Sequence, residues 1–250
     1  MHVKSFILLA AAVLTLSACS ESPPPPAANQ PSFDPSTQGT LIGTVVVDGT
    51  LPPANVIRLD GDPKCEALAD GEIRRLEDVV VGEGNGLQHV FVHIKEGLPP
   101  ALHPVPAEAA VLDQQKCRYL PRVLGLQVGQ PLLIRNSDPL LHNVRAEAQI
   151  NQSFDVGTPV QGVEVTRTFA TSEVVIPIKC NVHAWMKAYV GVLEHPFFVV
   201  SDHRGQFSIA RVPAGTYTVE IWHEHFGTQT QQVSLAAGQT ANLSFAFKAS

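Results

Sequence analysis

Cys180, His183 and Met186 stand three apart in the string Cys180-Asn181-Val182-His183-Ala184-Trp185-Met186. A thiolate, an imidazole and a thioether are the donors that soft, redox-active copper prefers, and this spacing lets one loop turn all three inward. Such a site needs a second imidazole from elsewhere. His142 offers it, just past the polar turn Asn136-Ser137-Asp138-Pro139 that follows the strand-like Gln130–Arg135 run. The plain alternative is a buried free cysteine beside a satisfied core histidine and a packing methionine. Four complementary donors outweigh it. The chain has only 2 Met, one of them Met1, so Met186 is poorly explained as general filler.

These strings resemble a known family. Cys-x-x-His-x-x-Met, with Trp185 directly before the methionine, is similar to the short ligand loop of amicyanin-type blue copper proteins. Asn-x-Asp-x-x-x-His-Asn-Val is similar to the first ligand segment of the cupredoxins. The resemblance implies one type 1 copper, with His142, Cys180 and His183 as trigonal ligands and Met186 as the weak axial one. It also implies that Asn143 fixes the ligand loops and hydrogen-bonds toward the thiolate. In this family the loop histidine, here His183, reaches the surface in an apolar patch that gives the electron its exit. Trp185 is expected either to line that patch or to pack inside. Two departures stand out: Val182 occupies the place of the family's loop proline, and 39–120 is longer than a minimal cupredoxin needs.

The implied activity is single-electron transfer, not enzyme catalysis. An axial methionine fills the position that substrate chemistry would use, and Cys180 is flanked by Lys179 and Asn181 where an oxidase has histidines. Two other readings use the same chain: a copper storage or delivery protein, and a non-metal lipoprotein that binds carbohydrate or protein.

The N-terminus sets the compartment. Met1-His2-Val3-Lys4, an apolar Phe6–Leu16 stretch and Leu16-Ser17-Ala18-Cys19 resemble a bacterial lipoprotein signal. The resemblance implies cleavage before Cys19 and lipid acylation of that cysteine, so the chain would be held at the periplasmic face of a membrane. Ser20 favours outer-membrane sorting. Residues 19–38 read as a Pro-rich tether. With Cys19 set aside, three cysteines remain in an oxidising compartment. Cys65 and Cys117 lie in polar, turn-like contexts suited to a disulfide, which leaves Cys180 as the thiol.

Charge and composition bound the rest. A net charge of −6 argues against nucleic acid and suits a basic redox partner such as a c-type cytochrome. Gly 18 and Pro 20, with 44% hydrophobic residues, favour short strands around a packed core. The expected fold is all-β: a cupredoxin-like Greek-key sandwich over 39–195, with an extended N-terminal β region, then a small sandwich over 196–250. The latter resembles the carboxypeptidase regulatory, transthyretin-like module through Gly-x-Phe-x-Ile and Val-Pro-Ala-Gly-Thr-Tyr-Thr-Val, although its opening strand is not evident. The one expected helix is short, Pro63 to Ala69. His89 with His93, and His223 with His225, each share a strand face. Either pair could join a second metal, but a sheet face without a third ligand is the commoner explanation.

Overall fold

The computed structural model describes residues 35–59, 61–101 and 103–249. The leader, Cys19 and most of the Pro-rich run lie outside the described residues. The described chain is built mainly of strands, several of which alternate more and less buried positions as the period of 2 requires. They are β1 (Gln38–Asp48), β2 (Phe91–Glu96), β3 (Ala110–Gln115), β4 (Arg118–Leu120), β5 (Val123–Gln127), β6 (Leu132–Asn136), β7 (His142–Ala146) and β8 (Phe154–Thr158). There follow β9 (Glu164–Arg167), β10 (Glu173–Lys179), β11 (Lys187–Leu193), β12 (Phe198–Val200), β13 (Gln206–Pro213), β14 (Gly215–His223), β15 (Gly227–Leu235) and β16 (Thr240–Lys248). The α-helix among the described residues is α1 (Pro63–Ala69). Asp62 caps it by accepting from the Lys64 and Cys65 N–H groups, and Pro63 stands where a missing N–H costs nothing. None of the described helices is long and apolar enough to cross a membrane.

Four sheets make two sandwiches, so the chain is all-β. Orders β5-β11-β10-β7-β8 and β4-β3-β6-β9 enclose one core built on Leu112, Leu126, Ile134, Ile176 and Val190. Orders β13-β1-β16 and β12-β2-β14-β15 enclose the other, built on Leu41, Val45, Val92, Ile94, Val219 and Phe245.

The division at 195/196 expected from sequence does not follow the strand pairing. β1 lies between β13 and β16, parallel to the latter from Thr40↔Thr240 to Asp48↔Lys248. β2 lies between β12 and β14. Two strands of the 39–195 segment therefore complete the C-terminal sandwich, whose own residues after 196 supply too few strands to close both sheets. The 39–195 segment keeps β3 to β11 and α1 for the half that carries His142, Cys180 and His183. β2 is also buried on both sides: Val92 and Ile94 face the C-terminal core, and Phe91 packs with Val123, Leu193 and Phe198 between the sandwiches. His93 is consequently 3% exposed and lies against Glu220, where a half-exposed sheet face was expected.

Candidate metal centre

Adjacent strands bring the ligand-type residues together. β7 opens on His142, β10 ends at Lys179 just before Cys180, and β11 begins directly after Met186. Because β7 and β11 both pair with β10, the two segments meet at one end of one sheet. Backbone bonds fold the loop: Met186 N–H donates to His183 O at 2.9 Å and Cys180 N–H to Met186 O at 3.3 Å. The upstream turn is pinned by Asn136, whose amide nitrogen donates to Leu140 O at 2.9 Å and Thr158 O at 2.8 Å.

His142, Cys180 and His183 are all buried, and one donor atom of each lies within 4.8 Å of the others. The two Nδ1 atoms approach to 3.0 Å, and Cys180 Sγ lies 3.9 Å from His183 Nδ1. Met186 is 1% exposed in the same core. Asn143 Oδ1 accepts from the Cys180 thiol at 3.4 Å and from Asn181 N–H at 2.6 Å, tying the two ligand segments together. Its own carbonyl accepts a short hydrogen bond from Tyr119 OH.

The outer nitrogens of both rings are engaged. His142 Nε2 lies 2.9 Å from Asp138 Oδ2, and His183 Nε2 lies 2.9 Å from Asp62 Oδ2. A carboxylate accepts, so Nε2 carries the proton in each neutral ring and both Nδ1 lone pairs point at each other beside a sulfur. A cation resolves that arrangement. Two imidazoles, a thiol and a buried thioether fit copper by donor type.

Electrostatics are consistent with a thiolate. Burial opposes ionisation of Cys180, but His142 and His183, whose Nδ1 atoms become donors to the sulfur once the rings are protonated, override it and bring the thiol down to about 5. Burial likewise opposes protonation of His142 and His183, yet Asp138 in one case and Cys180 with Asp62 in the other hold each imidazole above its ordinary value.

Other sequence expectations are placed as follows. Cys65 and Cys117 are joined by a disulfide, and Cys180 is the free cysteine among the described residues. Trp185 is half-buried, with its ring 5.1 Å from His183 and its Nε1–H donating to Cys117 O at 3.0 Å. His183 does not reach the surface as expected: it is 2% exposed. The reason is the long 49–90 excursion, which lays Asp62 and Cys65 over its outer edge, with Cys65 Sγ 3.5 Å from Nε2. The His89/His93 and His223/His225 pairs form no cluster of three ligand types among the described residues.

Sequence reasoning missed Asp62 and Asp138. Asp138 was signalled weakly by its place four residues before His142 in a polar turn. Asp62 carries only a helix-cap signal, Asp-Pro-Lys-Cys, which says nothing of a histidine 121 residues away.

Residues 187–248 match the Carboxypeptidase regulatory-like domain family. β11, at the start of that match, pairs with β10 and β5 in the other sandwich. No curated protein matches the chain. Solved structures similar to part of it include three from different proteins. A copper-containing nitrite reductase from Thermus scotoductus SA-01 is 21% identical over 39% of this chain and 24% of its own, with a TM-score of 0.33. This chain thus spans about a quarter of that enzyme's length. A methionine-to-alanine variant of amicyanin in the Cu(I) form is 23% identical over 40% of this chain and 97% of its own, TM-score 0.31. A purple cupredoxin from Nitrosopumilus maritimus is 23% identical over 30% of this chain and 80% of its own, TM-score 0.27.

Proposed function

We propose that this protein carries single electrons through one type 1 copper held by His142 Nδ1, His183 Nδ1, Cys180 Sγ and the Met186 thioether. The observation that carries the reading is the convergence of both Nδ1 atoms on Cys180 while both Nε2 atoms are already occupied. When bound, copper supplies a one-electron Cu(II)/Cu(I) couple. The chain's residues do the rest. Two strands and the Asn143 bridge hold the donors in one geometry for either state, so little rearranges during exchange. Val144, Ile178 and Ala188, all buried, keep water from the ligands.

The surroundings suit a carrier. The cleft that reaches Trp185 and Met186 encloses about 10 Å³, no more than room for one water. With His183 covered, the half-buried Trp185 ring, 5.1 Å from it, offers an apolar route outward. Arg75, Arg118, Arg122, Lys187 and Glu77 line the same cleft. Glu77, Asp78 and Glu224 pair with Arg118, Arg122 and Lys187 there, and the net charge of −6 suits a basic partner such as a c-type cytochrome. The N-terminal leader supports export and lipid attachment at Cys19 on the periplasmic side of an outer membrane.

Adding Cu(II) to purified protein tests the reading. An intense visible thiolate-to-copper band is expected in the parent and absent in Cys180→Ala. An equally strong band in that variant removes the type 1 assignment.

A further inference from the structure

The two ligand imidazoles are gripped from outside in the same way. Asp138, whose Oδ2 holds His142, also accepts from Lys116 N–H at 2.6 Å and Cys117 N–H at 2.7 Å. Asp62, whose Oδ2 holds His183, accepts through Oδ1 from Lys64 N–H at 3.0 Å and Cys65 N–H at 3.1 Å. Each carboxylate is thus anchored by the backbone of a half-cystine. The disulfide joins the two anchors across a sequence separation of 52.

We propose that Asp62, Asp138 and the Cys65–Cys117 disulfide act as one positioning unit, which fixes both ligand imidazoles as their Nε2–H tautomers and biases the bound copper toward Cu(II). The second half rests on the copper reading above; the first does not. A carboxylate acceptor makes a ring more basic and adds negative charge beside the metal, which favours the more highly charged ion. The disulfide matters most for Asp62. α1 is only seven residues long, too short to persist unaided, whereas Asp138 sits in a turn that Asn136 pins independently. The unit is therefore asymmetric: cutting the disulfide should free His183 and spare His142.

Asp62→Ser separates positioning from capping, because serine caps a helix well but cannot reach His183. Nitrogen-15 histidine spectra of the metal-free protein, at a pH where the imidazoles are neutral, read the tautomers directly. Parent protein should show Nε2–H for both residues. Asp62→Ser should give a tautomer mixture at His183 alone, Asp138→Asn at His142 alone, and Cys65→Ser/Cys117→Ser should behave as Asp62→Ser does. In copper-loaded protein, Asp62→Ser and Asp138→Asn should keep the visible band and lose roughly 10–100-fold in Cu(II) affinity. A tenfold loss not shared by Cu(I) raises the reduction potential by about 59 mV. Unchanged tautomers in Asp62→Ser and Asp138→Asn overturn the unit, as does an undisturbed His183 in the double cysteine variant. Altered tautomers with an unchanged potential overturn the Cu(II) bias. Absence of any band in the parent would sink the copper reading while the metal-free spectra still decide the positioning.

Discussion

Asn143 concentrates more of the site's geometry in one side chain than any ligand does. Its Oδ1 lies 3.4 Å from Cys180 Sγ and accepts from Asn181 N–H, and its Nδ2 donates to Asp155 at 2.6 Å, which in turn accepts from Asn181 Nδ2 at 2.7 Å. Asn143→Ala is expected to lower the unfolding free energy by about 1–3 kcal/mol, since buried donors and an acceptor lose partners. Denaturant titration measures this, and a shifted thiolate-to-copper band in the loaded variant would report the loosened loop. Cys180 gives a second residue-level expectation. Its thiol is held down to about 5 by His142 and His183 against burial. Metal-free protein should therefore keep thiolate ultraviolet absorbance at neutral pH and lose it as the pH falls through about 5, whereas an ordinary thiol loses it near 8.5. The cluster of His142, Cys180 and His183 was legible because loop chemistry is local: Cys180 and His183 stand three apart, and His142 follows a recognisable turn. Asp62 and Asp138 were not, because the role of an acidic side chain is set by what folds against it.

At the scale of elements, the contact between the sandwiches depends on two missing side chains. The parallel ladder sets Gly191 of β11 opposite Gly125 of β5. Phe91 and Phe198 rest on that floor, with ring centroids 5.8 Å apart. A Cβ on Gly191 would lie 2.3 Å from the Phe91 ring, and one on Gly125 2.4 Å from the Phe198 ring. Gly191→Ala should therefore cost about 1–3 kcal/mol by overpacking, measured by chemical denaturation. Gly157, whose Cβ would meet nothing, serves as the control within the same sheet. Alternation made β2 legible as a strand, yet neither its partners nor the covering of both its faces could be read locally. α1 was expected as a short helix over Pro63 to Ala69, and the structure has it there. What α1 covers was not, because that depends on a disulfide and a histidine far away in sequence.

At the scale of the whole molecule, His195 and His223 are the described histidines that packing holds furthest below their ordinary value. Burial, reinforced by His89 and His225, pushes His223 down to about 3. Burial, reinforced by His93, brings His195 to about 4. In the unfolded chain both titrate near 6.5, so the unfolded state binds more protons below that pH. Their stabilising contribution is complete above about 6.5 and is lost as the pH falls through about 4 and then about 3. Unfolding free energy should drop over that range, and His223→Gln should flatten the slope by up to one proton. All-β class and the C-terminal module were legible from turn composition and the Val-Pro-Ala-Gly-Thr-Tyr string. The sharing of β1 and β2 was not, since strand pairing over such distances leaves no local pattern. That sharing also sets a load path. Tension applied through residues before Gln38 enters β1, the middle strand of its sheet, and pulls along ladders on both edges, where many hydrogen bonds must shear together. The half that carries His142, Cys180 and His183 lies off that line, so a pull on the chain ahead of Gln38 reaches the C-terminal sandwich first.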